Sequence, residues 1–346
     1  MQTPPEKHDS HDSHDSRDSH DSRDSRDSHD SHDSTSQPGL VISYFGSSVA
    51  VEADDGQVFQ CHLRRNQELP VVGDRVRWQL EKDNTGLILN IEPRKSVLSR
   101  GEGHGKVKPV AANIDVLVVV MAPPPILSEY LVDRYLVAAE ILNIDAILVL
   151  NKIDLLDGSA RQAADERLDI YRRIPYPVVL TTIYGTDGLK DLEAVLAGRT
   201  AVLVGPSGVG KSSIITALGS EESIRVGDVS SKGSGKHTTT ATRLYHLPQG
   251  GNLIDSPGVR EFNLWPVSRQ EVLRSFREFQ PFLSGCKFRD CLHLVEPGCA
   301  VQAAIADGKI SSQRFTSYQE LMKEADANKN THAVKKGGRD FTKTSK

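Results

Sequence analysis

Gly205-Pro-Ser-Gly-Val-Gly-Lys-Ser212 follows the apolar run Thr200–Val204 and opens into Ser213-Ile-Ile-Thr-Ala-Leu218. The first run reads as a buried strand and the second as the first turns of a helix. Strand, glycine-rich turn and helix form the context in which G-x-x-x-x-G-K-[ST] cradles phosphate. Glycine lets the backbone wrap closely enough for its N–H groups to face phosphate oxygens, and the helix N-terminus adds partial positive charge. The nucleotide-contacting set is therefore Gly205, Pro206, Ser207, Gly208, Val209, Gly210, Lys211, Ser212 and Ser213. Lys211 is placed to reach the β and γ phosphates, which makes it a catalytic candidate, and the Ser212 hydroxyl is a ligand for Mg²⁺.

Two further motifs fit a nucleotide site. Asn151-Lys152-Ile-Asp154 directly follows the strand-like run Ala146–Leu150. A carboxylate in that position accepts from guanine N1–H and the 2-amino group together, while Asn151 and Lys152 brace the base and the loop. Adenine lacks those donors, and an unpaired buried carboxylate costs about 1–3 kcal/mol or more, so the motif discriminates. Asp255-Ser-Pro-Gly258 supplies a carboxylate that holds Mg²⁺ through water and a glycine N–H for a γ phosphate; it is expected to close the sheet edge. Between loop helix and last strands, Ile224–Thr242 is polar and glycine-containing, which suits a mobile switch. Within it, His237-Thr-Thr-Thr240 offers Thr239 as a second Mg²⁺ contact and His237 as the group that positions the attacking water. A small GTPase ordinarily runs phosphate loop, switch threonine, D-x-x-G, then N-K-x-D. Here N-K-x-D comes first and D-x-x-G last, which identifies a circular permutation, because such a site depends only on where strand ends lie in space.

Working outward, residues 110–265 alternate apolar strands with helices, the signature of a parallel sheet covered on both faces. Upstream, residues 39–93 break into short strands at Leu40–Phe45, Val49–Ala53, Val58–Leu63, Asp74–Leu80 and Gly86–Ile91. Five such strands in that span indicate a small closed barrel of OB-fold type. It is compatible with binding nucleic acid and equally with a docking role. Residues 94–109 form a glycine-rich basic linker with Arg94, Lys95, Arg100, Lys106 and Lys108, open to contact with RNA phosphate or to service as a solvated connector. Residues 1–38 have no hydrophobic face and are expected to be disordered. They contain nine tandem triplets over 8–34, six His-Asp-Ser and three Arg-Asp-Ser, which account for more than the whole formal charge of −4. The histidines could bind transition metal weakly, though a solvated repeat suffices.

Residues 266–327 surround Cys286, Cys291, His293 and Cys299, three thiolates and an imidazole within fourteen residues. Cys3His is a tetrahedral zinc set with no open position, which points to a structural ion. The alternatives are a free-cysteine cluster or a single disulfide with a spare thiol, and a reduced compartment argues against the disulfide. Cys61 stands apart as a core residue. Residues 328–346 lose their apolar period and read as a basic flexible tail. No run approaches a membrane span and the N-terminus is hydrophilic, so neither anchor nor secretory signal is expected.

A barrel, a permuted nucleotide domain and a zinc knuckle in this order resemble the bacterial small-subunit-dependent ribosomal GTPase family, RsgA/YjeQ. The resemblance spans about Leu40 to Met322 and rests on Asn151–Asp154, Gly205–Ser212, Asp255–Gly258 and the Cys286/Cys291/His293/Cys299 set. It implies a monomeric cytoplasmic Mg²⁺-dependent GTP hydrolase, cycling between GTP and GDP. It also implies binding to the maturing small ribosomal subunit and its rRNA, stimulation by that subunit, and release of assembly factors. Gly235-Lys-His-Thr-Thr-Thr240 resembles the family's switch. The base-contacting loop, usually Ser-Ala-like, corresponds here to Thr182-Ile183. The rival readings are a zinc-and-barrel RNA-binding scaffold in which GTP only switches conformation, and a GTPase acting on some other RNA or protein.

Overall fold

The computed structural model describes residues 36–44, 48–65, 67–81, 84–102, 106–123, 128–219, 242–256 and 265–337, with side chains as far as 327. Five strands, β1 (Gln37–Tyr44), β2 (Val49–Ala53), β3 (Val58–Leu63), β4 (Arg75–Leu80) and β5 (Thr85–Ile91), make the barrel. They pair in the order β1-β2-β3-β5-β4, with β4 returning to β1 and only β3–β5 parallel. Period-two patterning closes it: in β4, Val76 and Trp78 point inward while Arg75 and Arg77 face water. Val41, Val49, Val51, Cys61 and Ile88 fill the rest of the interior. The Trp78 ring leaves no room for a Cβ at Gly86, where one would lie 2.7 Å from the indole and 2.5 Å from the Cys61 sulfur. Its Nε1–H donates to the Pro38 carbonyl at 3.1 Å. Strand β1 thus begins at Gln37, inside the stretch that composition assigns to the tail.

The basic segment after the barrel is not a plain connector. It forms a hairpin of β6 (Val97–Glu102) and β7 (Lys106–Ala112), in which Leu98 and Ala111 pair and are both fully buried. Two apolar residues on one face suffice to dock it, and Ala112 N–H donates to Val72 O at 2.9 Å.

The nucleotide sheet comprises β8 (Val116–Met121), β9 (Asp145–Leu150), β10 (Val178–Leu180), β11 (Thr200–Val204), β12 (Arg243–His246) and β13 (Asn252–Asp255). Their order is β10-β9-β8-β11-β13-β12, parallel except for β12. Counted from β11, this is sixth-fifth-fourth-first-third-second, a single sheet whose chain has been cut between its third and fourth strands. Both faces are covered, which explains the unbroken apolar runs. Leu117, Val119 and Met121 pack under α1 (Glu129–Leu142) and α2 (Gly158–Arg173), while Val116, Val118 and Val120 pack under α3 (Lys190–Leu196) and α4 (Lys211–Leu218). Strand β13 does not close the sheet edge. It lies inside, with β12 beyond it and the barrel's β1 beyond that.

C-terminal to the sheet come α5 (Arg269–Arg274), a 3₁₀ segment Arg277–Gly285, α6 (Ala300–Ala306) and α7 (Ser312–Gly337). Ser268 and Glu271 start α5 with a reciprocal capping box. Helix α7 continues ten residues past Ala327, because loss of apolar period does not end a helix in the absence of Pro or Gly. Phe276, Phe279 and Tyr318 form an aromatic cluster with centroids 5.0–5.2 Å apart. Beneath it, the fully buried Arg314 donates to Asp133 of α1 at 2.7 Å and to Glu278 at 2.6 Å, and Tyr171 of α2 donates to Asp133 at 3.0 Å. Burial pushes the Asp133 carboxyl up, opposed by the guanidinium beside it. The C-terminal region is therefore fastened to α1 and α2 by a desolvated ion pair.

Candidate nucleotide site

Strands β9, β11 and β13 run parallel through β8, so their C-terminal ends reach the same edge of the sheet. The chain reverses direction of winding between the adjacent β8 and β11, and open α/β sheets bind ligands outside such a point.

Gly205 leaves β11 with φ 137°, and a Cβ there would lie 2.3 Å from the Val120 carbonyl oxygen. Gly210 has φ 97° and introduces α4; a Cβ there would lie 2.4 Å from the Asn151 amide nitrogen. Only glycine passes these two points. Lys211 is buried, and its ammonium donates to the carbonyls of Gly205 at 2.7 Å and Pro206 at 2.6 Å. These acceptors are neutral, whereas a phosphate oxygen adds the attraction of opposite charges. Ser212, in the first turn of α4, is exposed.

The N-K-x-D segment is joined to this loop directly. Asn151 is buried, donates to Val209 O at 2.9 Å and accepts from the Thr181 hydroxyl at 3.1 Å. Lys152 takes φ 58° and donates to Gly208 O at 2.6 Å. Asp154 accepts the Thr182 hydroxyl at 2.5 Å, and Thr182 in turn accepts the Tyr184 N–H at 3.2 Å. The Thr182-Ile183 loop thus meets the Asp154 carboxylate through its threonine. Thr181 carries no sequence signal beyond a hydroxyl that follows the short strand β10.

Asp255 ends β13 opposite Arg243 of β12, and the next residue, Ser256, is buried with its hydroxyl 3.1 Å from that of Thr242. His237, Thr239 and Gly258 lie outside the described residues.

A second cluster lies in the C-terminal region. One ligand atom each from Cys286, Cys291, His293 and Cys299 lies within 4.8 Å of every other. His293 Nδ1 is 3.5 Å from Cys286 Sγ and 3.2 Å from Cys299 Sγ. A tetrahedral ion with bonds of about 2.0 Å to nitrogen and 2.3 Å to sulfur separates its ligands by roughly 3.5–3.8 Å, so the donor set fits. Burial pushes the Cys291 thiol up to about 12 and pulls His293 down, which favours a neutral imidazole as a ligand. The ligand loop is itself braced: Glu296 accepts backbone N–H groups of Leu292, Leu294 and Val295. Burial raises its carboxyl, and those N–H groups outweigh this and hold it below the usual carboxylate range.

Against known proteins, a family model described as RsgA GTPase matches residues 91–265. A model described as 50S ribosome-binding GTPase matches residues 200–331. The chain is 47% identical over 293 residues to the small ribosomal subunit biogenesis GTPase RsgA of Dickeya dadantii, covering 83% of this chain and 84% of that one. Among solved structures it resembles YjeQ from Thermotoga maritima, with a TM-score of 0.69 and 30% identity over 84% of this chain and 99% of that one. It also resembles YloQ, a circularly permuted GTPase, with a TM-score of 0.68 and 30% identity over 86% and 97%. The five-strand barrel, the permuted sheet and these matches agree, and the chain belongs to the RsgA GTPase family.

Proposed function

We propose that this GTPase binds the maturing small ribosomal subunit and its rRNA, hydrolyses GTP when the subunit stimulates it, and thereby helps assembly factors leave. The observation that carries the reading is the joining of the N-K-x-D segment to the phosphate loop through Asn151–Val209 and Lys152–Gly208, within a permuted sheet. In it, Asp154 reads guanine, the loop from Gly205 to Ser213 holds the phosphates, and Lys211 leaves its carbonyl partners for the β and γ phosphates. Ser212, Asp255 and Thr239 are hard oxygen donors suited to Mg²⁺, which neutralises charge on the phosphates when bound. The Cys3His cluster holds one zinc ion as a structural brace. The position after D-x-x-G is Val259, whose side chain directs no proton, so His237 or a group from the bound particle orients the water. The protein acts as a monomer in the cytoplasm; among the described residues no helix is long and apolar enough to cross a membrane.

The test is GTP hydrolysis by the full chain alone, with small subunits and with large subunits. Trans-supplied groups in other GTPases contribute about 10³–10⁵ in rate, so slow turnover alone and stimulation of at least about tenfold by small subunits are expected. Fast turnover unaffected by small subunits, or stimulation by large subunits instead, refutes the reading.

A further inference from the structure

Barrel and nucleotide sheet meet at β12, and both ends of that four-residue strand are held by barrel side chains. At its start, Ser43 of β1 pairs with Arg243, and its hydroxyl donates to the Thr242 carbonyl at 3.4 Å. At its end, His246 stands between Glu52 of β2 and Asn252 of β13, with Nε2 2.8 Å from Glu52 Oε2 and Nδ1 2.8 Å from Asn252 Oδ1. The Asn252 amide nitrogen donates to Thr200 Oγ1 at 3.2 Å, which turns its oxygen toward the imidazole. Both ring nitrogens therefore face acceptors, as an imidazolium requires.

The same strand leads out of the nucleotide site. Thr242 ends the switch stretch and Ser256 follows Asp255, and the two hydroxyls are bonded at 3.1 Å. Asp255 is registered against Arg243. The β12–β13 ladder connects this hydroxyl pair to Ser43 and Glu52.

We propose that Ser43 and Glu52 of the barrel are positioning residues for GTP turnover. They act through β12 on the Thr242–Ser256 pair, so that nucleotide state and the barrel's partner bias one another. Linkage makes that bias reciprocal. The identity of the partner as RNA rests on the function proposed above; the coupling itself does not.

The experiment uses the full chain with GDP and with a non-hydrolysable GTP analogue, reading hydrogen exchange in residues 37–44 and 49–53. Exchange in these barrel strands is expected to differ by about fivefold or more between the two nucleotides. Glu52→Gln and His246→Gln should abolish the difference while GTP affinity is unchanged, and His246→Lys, which keeps the positive charge, should retain it. In turnover, Thr242→Val should lower kcat more than it changes KM, and Thr242→Ser should recover it. Equal exchange in the two nucleotide states of the unaltered chain overturns the proposal, as does a difference that survives both glutamine variants. Loss of subunit stimulation with the exchange response intact would overturn only the ribosomal reading.

Discussion

Thr182 donates its hydroxyl to Asp154 across 2.5 Å while accepting the backbone N–H of Tyr184. The carboxylate proposed to read the base is therefore aimed by a side chain from the next loop. The hydroxyl a serine would place there is present, with a methyl group added.

Base recognition is expected to follow this geometry. Thr182→Val should weaken GTP binding by about 1 kcal/mol, or roughly fivefold, and Thr182→Ser should restore it. Asp154→Asn should weaken GTP and favour xanthosine triphosphate, whose 2-oxo group replaces the amino donor. Titration of both nucleotides against each variant decides it; unchanged GTP affinity in Asp154→Asn would remove Asp154 from the site.

Elemental analysis of chain purified without chelators should find one zinc per molecule. Cys291→Ala leaves three ligands, and should loosen residues 286–299 and weaken subunit binding more than nucleotide binding. Metal-free protein with normal stability would exclude the structural role.

Arg314→Met should destabilise the chain by about 3–5 kcal/mol, since it leaves Asp133 and Glu278 without their buried cation. Denaturant unfolding measures this. A loss below 1 kcal/mol on the same scale would mean that water reaches the pair.

The Glu52–His246 contact should be pH-dependent. The bond to Glu52 raises the His246 pKa, against the lowering effect of burial. A raised histidine contributes its stability in full below the unfolded value of about 6.5, and the contribution is lost as pH rises through the folded value. The difference in urea midpoint between the unaltered chain and Glu52→Gln should thus be largest near the acid end of that window and shrink toward alkaline pH. A constant difference would show that the ring is not charged.

Removing residues 1–34 should leave stability and GTP hydrolysis intact. Starting the chain at Gly39 should not, because Gln37 and Pro38 pair with Trp78 and Arg77 and supply the acceptor for the Trp78 indole. Equal melting temperatures for the two truncations would contradict that account.

The sequence showed most of the architecture because its signals were local. Unbroken apolar runs located β8, β9 and β11, glycines marked the phosphate loop, and alternation in Arg75–Leu80 located a barrel strand. What it hid depends on contacts between distant segments. Leu98 and Ala111 become a hairpin face only when paired, so lysines and glycines made the span look like a connector. Thr181 gains its role from Asn151, thirty residues away. The Arg314–Asp133 bond joins groups 181 residues apart, and neither residue is unusual in its own neighbourhood. The interior place of Asp255 is hidden because chain order gives no sign that β13 inserts between β11 and β12.

The position of β11 also bears on how the chain acquires its fold during synthesis. Strand β11 sits between β8, made earlier, and β13, made later, with Ala201 set beside Val116 on one side and Leu253 on the other. The half-sheet β8-β9-β10 emerges first, with an apolar flank that has no neighbour until β11 arrives. Long-range parallel pairing forms slowly, and at roughly 5–20 residues per second the interval from the end of β8 to the start of β11 occupies about 4–16 seconds. A nascent chain of this order therefore exposes the margin of its central sheet throughout that interval, and slowing translation between residues 121 and 200 should increase its capture by chaperones.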